Sequence, residues 1–228
     1  AQSYYQKVLE LDPNYVDAHN NLGSMFGGLG ENQKAISCYE KAIEINPNYT
    51  PAYNNLGTIF KELGESQKAK QYYEGAIKID PNYTSAHFNL GNIFSSQGEY
   101  QKAKDCYEKA IEIKPDYVDA HYNLGVIFQE LGDNQKAKDC YKNVIEINPN
   151  YTNAHNNLGA IFKELGEYQK AKSYYEKVIE INPNNIDSHH NLGIVYAAIN
   201  NPKKSIDHYQ KALVNRSDIN FEIYKEKD

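Results

Sequence analysis

Six prolines, Pro13, Pro47, Pro81, Pro115, Pro149 and Pro183, follow one another at intervals of 34 residues without a slip. A fixed period of that length is the signature of a repeat array, in which one supersecondary unit is stacked many times and each copy covers its neighbour's apolar face. The period constrains the architecture before any side chain is considered for chemistry. It points away from a single catalytic pocket and towards a long surface that binds another chain.

Aligned on the prolines, the chain divides into units 16–49, 50–83, 84–117, 118–151, 152–185 and 186–219. Residues 1–15 read as the second helix of an earlier unit. Because Ala1 falls inside that unit, the natural N-terminus is expected to lie upstream. Each unit carries two amphipathic helical patterns. Thr50 is expected to cap a first helix, with Pro51 at the first helical position. Asp17, Asp119 and Asp187 place negative charge in the first turn, where it complements the helix dipole. The turn between helices falls at Gly30, Gly64, Gly98, Gly132 and Gly166, because glycine accepts a left-handed cap. A second helix follows, as over Gln67 to Ile79, with Ala69, Tyr73, Ala76 and Ile77 on one face. Asn46-Pro47 and its equivalents end it, since the residue before proline is pushed out of the helical region.

Two small positions recur. Gly23, Gly57, Gly91, Gly125, Gly159 and Gly193 lie inside the first helix, where each costs about 1 kcal/mol in propensity. Ala35, Ala69, Ala103, Ala137 and Ala171 begin the second. A repeated glycine facing a repeated alanine predicts close approach of the two helices.

The run Leu56-Gly57, Phe60, Gly64, Ala69, Tyr73, Ala76 and Pro81, copied in register across nearly all of residues 1–219, resembles the tetratricopeptide repeat (TPR) family. The resemblance implies an all-α fold, a right-handed solenoid of helix-turn-helix units whose first helices line a concave groove. Family members mostly use that groove to hold a peptide or a partner helix. The chain departs from the pattern at the fourth place of each unit, where His19, Tyr53, His87, His121, His155 and His189 stand. The last unit is degenerate, with Asn200, Ser205 and Ser217 for Gly, Ala and Pro. Residues 186–228 are expected to form an end cap, which Ile219, Phe221, Ile223 and Tyr224 would help to cover.

The column Asn21, Asn55, Asn89, Asn123, Asn157 and Asn191 is the leading candidate for ligand contact. A primary amide offers a donor and an acceptor and pairs with a peptide group as another backbone would. First helices lie on the order of 10 Å apart, close to the advance of three extended residues, so such a ladder could grip a peptide without reading its sequence. It resembles the ladder in the TPR superhelix of O-linked N-acetylglucosamine transferases. That likeness leaves open that the chain recruits substrate for a larger enzyme of that kind. Adjoining columns vary: Asn20, Asn54, Phe88, Tyr122, Asn156 and His190 in one; Ser24, Thr58, Asn92, Val126, Ala160 and Ile194 in another. Phe88 and Tyr122 are expected to form an aromatic anchor, since aromatics dominate binding hot spots.

Several other classes are disfavoured. The formal net charge of −6 argues against nucleic acid, whose binders carry a basic stripe. A carboxylate clamp for the acidic tails of chaperones needs cations on the first helices. Those positions hold Asp17, Pro51, Ser85, Asp119, Asn153 and Asp187, while Lys61 to Glu65 and similar stretches read as solvated helix ends. Histidines one repeat apart cannot share a zinc ion. Packed histidines would instead give mild acid sensitivity. Cys38, Cys106 and Cys140 occupy one place in their repeats, too far apart for disulfides, which suggests structural thiols in a reducing compartment. Asn48-Tyr49-Thr50, Asn82-Tyr83-Thr84 and Asn150-Tyr151-Thr152 match the glycosylation sequon but arise from the repeat loop. No stretch approaches the roughly 18 apolar residues of a membrane span. No cofactor, metal or catalytic motif is implied. The expected function is a cytoplasmic, non-catalytic scaffold for a protein or peptide ligand, with homo-association through the open first unit as a further possibility.

Overall fold

The computed structural model describes the backbone of residues 2–225 and the side chains of residues 4–214. Among these, thirteen helices and no strand are present. Helix α1 (Gln2–Leu11) stands alone. Six helix pairs follow: α2 (Val16–Gly28) with α3 (Asn32–Ile45), α4 (Thr50–Glu62) with α5 (Ser66–Ile79), and α6 (Thr84–Ser96) with α7 (Tyr100–Ile113). Then come α8 (Val118–Glu130) with α9 (Asn134–Ile147), α10 (Thr152–Glu164) with α11 (Tyr168–Ile181), and α12 (Ile186–Ala198) with α13 (Pro202–Lys225). The chain forms two compact units, residues 1–120 and 121–228. In the first, α3 packs on α2 and α4, α5 on α4 and α6, and α7 on α6, and α4 touches both α2 and α6. In the second, α9 to α13 pack in the same succession. No described helix is long and apolar enough to cross a membrane.

The turns form for the reason the glycines suggest. Gly30, Gly64, Gly98, Gly132 and Gly166 all have φ between +73° and +77°. At the first of them the Gly30 N–H donates to the Gly27 carbonyl and the Glu31 N–H to the Phe26 carbonyl, both at 2.9 Å, which satisfies the open end of the helix. The degenerate unit keeps the turn with Asn200 at φ 58°, a conformation asparagine tolerates better than other side chains. The second helices end in an extended residue, as at Asn46, whose side chain accepts from the Asn48 N–H at 3.0 Å. The first helices start one residue earlier than expected at Thr50. Tyr49 is the cap residue and makes no side-chain cap bond, while Thr50 lies inside the first turn, buried. Capping by Thr50 is therefore corrected: the residue is helical and buried in the first turn.

The core is one repeated layer. Ala52, Leu56, Ala69, Tyr73 and Ala76 have no exposed surface, and the same places are filled in every unit. The repeated glycine meets the tyrosine of the second helix rather than the alanine. A Cβ built on Gly57 would lie 2.5 Å from Tyr73 Cε1, and Gly23, Gly91, Gly125, Gly159 and Gly193 meet their own tyrosines at 2.5 to 2.7 Å. The alanine sits one turn earlier on the same face, and the aromatic ring spans the space between the helices. On the edge of the layer, Lys70 and Lys102 lie over Phe94, and Lys138 and Lys170 over Phe162, at 4.9 to 5.6 Å from the ring centres. Cys38 and Cys106 are half-buried thiols, and burial pushes the Cys106 thiol up to about 11. The segment holding Ile219, Phe221, Ile223 and Tyr224 lies outside the described side chains.

The fourth-place histidines serve the loops. His19, His87, His155 and His189 each donate a ring Nε2–H to the carbonyl of the proline six residues earlier at 2.8 to 2.9 Å, and the Tyr53 hydroxyl does the same to Pro47 at 3.2 Å. At the end of the array His189 Nδ1 lies 3.0 Å from His208 Nδ1, and the His208 ring stacks on Tyr196. Burial, followed by the neighbouring His189 and Lys211, holds the His208 imidazole below its ordinary value; Asp207 and Glu176 oppose this. The unfolded chain then takes up the proton first. The contribution to stability is complete above the unfolded value near 6.5 and is lost as pH falls through the folded one. Melting temperature should drop by roughly 1–3 °C between pH 7.5 and 5, and less in His208→Gln; an equal drop in both proteins would remove His208 as the cause.

Candidate functional site

The first helices carry the asparagine columns, and hydrogen bonds between successive repeats set their geometry. In the first unit the Asn55 Nδ2 donates to Asn20 Oδ1 at 2.9 Å, and the Asn89 Nδ2 donates to Asn54 Oδ1 at 3.0 Å. The acceptors Asn20 and Asn54 are buried, since their side chains point towards the next first helix. They brace the ladder rather than face a ligand. The donors Asn55 and Asn89 are half-buried, while Asn21 at the head of the column is exposed. Each bracing bond orients an amide before any ligand arrives, leaving the carbonyl oxygens of Asn55 and Asn89 without a hydrogen bond among the described residues.

The second unit keeps this plan with different partners. Asn157 Nδ2 donates to the Tyr122 hydroxyl at 3.4 Å and also stands against the Tyr141 phenol. Burial pushes that phenol up, and the Asn157 amide partly offsets it. Asn191 Oδ1 accepts from Lys163 Nζ at 2.8 Å, and Asn156 Oδ1 accepts from the Ser188 hydroxyl at 2.7 Å. Asn123 is half-buried. Lys163 was not expected here, because its Lys-Glu-Leu-Gly-Glu stretch reads as a solvated helix end. The lysine is half-buried and reaches the asparagine column of the next repeat. Its place, one turn beyond Ala160 on the same helix face, is the signal that could have found it.

The third column acts on the core tyrosines. The Tyr39 hydroxyl donates to Ser24 at 3.2 Å, Tyr73 pairs with Thr58 at 3.3 Å, and Tyr107 donates to Asn92 Oδ1 at 2.7 Å. Asn92 therefore satisfies a buried phenol before it can meet a ligand. At Tyr141 the place holds Val126 and Gln129 accepts instead. At Tyr175 the place holds Ala160, and the buried hydroxyl has no partner among the described residues, an omission worth about 1–3 kcal/mol of lost stability.

The two aromatic candidates each join a local cluster. Phe88 lies 4.9 Å from Tyr117 and 5.8 Å from Tyr107, ring centre to ring centre. Tyr122 lies 5.2 Å from Tyr151 and 5.7 Å from Tyr141. Both remain half-exposed, so packing fixes the rings while one face stays accessible. Beside Tyr122 is a recess of about 360 Å³ that takes in Asn153, Asn156, Asn157 and Asn191, with Asp187 and His190 on its α12 side. Among the described residues, no group of three or more His, Cys, Asp or Glu is placed to hold a metal ion.

Profiles of the tetratricopeptide repeat match residues 16–49, 38–71, 118–151, 152–185 and 174–213, and a TPR repeat profile matches 58–98 and 91–132. No curated protein sequence matches significantly. Among solved structures the chain is similar to YrrB, described as a TPR protein with an unusual peptide-binding site. The two share 27% identity over 83% of this chain and 98% of that one, with a TM-score of 0.68. It is similar to the MamA protein at 26% identity over 74% of this chain and 92% of that one, also with a TM-score of 0.68. Pseudomonas aeruginosa pilF, at 19% identity over 93% and 97% of the two chains and a TM-score of 0.77, shares the fold. With the repeat profiles spanning residues 16–213 and the same helix pairs recurring through both compact units, the chain belongs to the tetratricopeptide repeat family.

Proposed function

We propose that this chain is a non-catalytic interaction scaffold that binds an extended peptide along its first helices, holding the peptide backbone with the column Asn21, Asn55, Asn89, Asn123, Asn157 and Asn191. The observation that carries the reading is the bracing of that column. Half of each amide of Asn55 and Asn89 is spent on the preceding repeat. Pre-oriented polar groups bind with less entropy loss than free side chains. Similarity to YrrB, whose description names a peptide-binding site, supports the same class of ligand.

The test uses peptides selected from a random display library on the wild-type protein. Changing Asn89, Asn123 and Asn157 together to alanine should weaken the selected peptides by about tenfold or more, on the scale of one to two lost hydrogen bonds. Far-ultraviolet circular dichroism should stay unchanged, because the helices are held by the alanine–tyrosine layer. Unchanged affinity in the folded triple variant, or failure of the wild type to select any peptide, would overturn the reading.

A further inference from the structure

We infer that the recess between α10 and α12 is a side-chain subsite for an uncharged carboxamide, a glutamine or asparagine of the bound ligand. This rests on the peptide-binding reading and names the group that one part of the surface selects.

The argument starts from which wall atoms are already spent. The Lys163 ammonium can only donate, so Asn191 turns Oδ1 towards it and keeps its amide hydrogens for an occupant. Asn156 is fixed the same way, its Oδ1 taken by the Ser188 hydroxyl. Asn157 is turned the other way: its Nδ2 donates to the Tyr122 hydroxyl, which leaves Oδ1 as an acceptor. Asp187 adds a second acceptor. Its counterpart in the first unit, Asp17, is occupied by the Tyr49 hydroxyl at 2.6 Å. Asp187 has no hydrogen-bond or ion-pair partner among the described residues, and the chain position corresponding to Tyr49 is Ile219, which carries no hydroxyl. Around one space of about 360 Å³, Asn156 and Asn191 thus present donors and Asn157 and Asp187 acceptors, and the exposed Asn153 and His190 at its edge can supply either.

Charge narrows the occupant further. Lys163 stands behind the donor side, through Asn191, and Asp187 on the acceptor side, so with His190 neutral the two charges balance across the site. A ligand carboxylate would satisfy Asn156 and Asn191 but face Asp187. An ammonium or guanidinium would satisfy Asp187 but meet the amide hydrogens of Asn156 and Asn191 with Lys163 behind them. A carboxamide matches both halves: its oxygen accepts from Asn156 or Asn191, and its NH2 donates to Asn157 Oδ1 or Asp187. Leaving the half-buried amides of Asn156, Asn157 and Asn191 unpaired, or setting a like charge against the exposed Asp187, is what gives discrimination against the wrong occupant. Asn157 and Asn191 belong to the column and also line the recess, so here the column meets a ligand side chain, while Asn55 and Asn89 remain for the backbone.

The same random display library separates this inference from the function it rests on. Peptides selected on the wild type should carry Gln or Asn enriched at one position. Asp187→Asn should move that position towards Glu or Asp, and Lys163→Met should move it towards Lys or Arg, each by roughly tenfold in relative enrichment. Neither residue is buried in the core, and circular dichroism with thermal melts should show both variants folded. If peptides are selected but the position shows no carboxamide preference, or the two variants leave the preference unmoved, the subsite is refuted while the peptide-binding scaffold stands. If backbone rather than side chain fills the recess, the wild type will show no preference there and the inference fails in the same way. Failure to select peptides at all would overturn both.

Discussion

Truncating Tyr73 to alanine is expected to destabilise the chain by roughly 3–5 kcal/mol, the range for removing a large buried aromatic side chain. Tyr73 has no exposed surface, and its ring fills the gap between α4 and α5 against Gly57. Its hydroxyl contributes little to that figure. Thr58 keeps its own bond to the Asn54 carbonyl at 3.2 Å when the phenol is gone, so nearly all of the loss comes from ring packing. Because each repeat contacts only its neighbours, the loss should be local at first. Amide hydrogen exchange should accelerate in α4 and α5 before it does in the second compact unit, and the urea midpoint of the whole chain should fall. A loss below 1 kcal/mol would mean that neighbouring residues collapse into the space, and that the tyrosine layer is softer than its burial implies.

Replacing Gly57 with alanine is expected to destabilise by about 1–3 kcal/mol through overpacking, although alanine is the better helix former by roughly 1 kcal/mol. The added Cβ would lie 2.5, 2.7 and 2.9 Å from three carbons of the Tyr73 ring, which is enclosed and cannot step aside. Gly28, at the end of α2, is the internal control. A Cβ there meets nothing within 4 Å, so Gly28→Ala should stabilise by about 0.5–1 kcal/mol. The same substitution then has opposite signs at two helical glycines, which helix propensity alone does not produce. Combining Gly57→Ala with Tyr73→Ala should cost less than the two changes added, because the new methyl enters the space the ring has left. Equal stabilisation by Gly57→Ala and Gly28→Ala would overturn the close contact.

Most of the fold was legible because the proline ruler puts equivalent residues in register. The helix pairs, the glycine turns and the buried alanine and tyrosine positions all follow from one-dimensional periodicity. Where the reading failed, the failures share a cause. The identity of Thr50 and the proline after it suggest a cap, whereas Thr50 is already helical and buried, with Tyr49 at the cap position. The repeated glycine was paired with the repeated alanine because both are small, whereas the tyrosine one turn further on reaches the glycine. Lys163 was read as solvated from its charged neighbours, whereas its long side chain reaches into the next repeat.

The 34-residue period by itself determined that this chain stacks helical pairs and exposes columns of like residues on its first helices. Local preferences repeat, so a pattern in sequence becomes a pattern in space. Which atoms of those columns remain for a ligand was decided only by the tertiary structure. Asn20 and Asn55 are neighbouring columns in sequence, yet one is a buried brace and the other a half-exposed amide held by it. A hydrogen bond between repeats joins residues 35 positions apart, and its direction depends on how the two helices meet. The same contacts turn Asn157 and Asn191, identical in sequence role, into an acceptor and a donor on one recess.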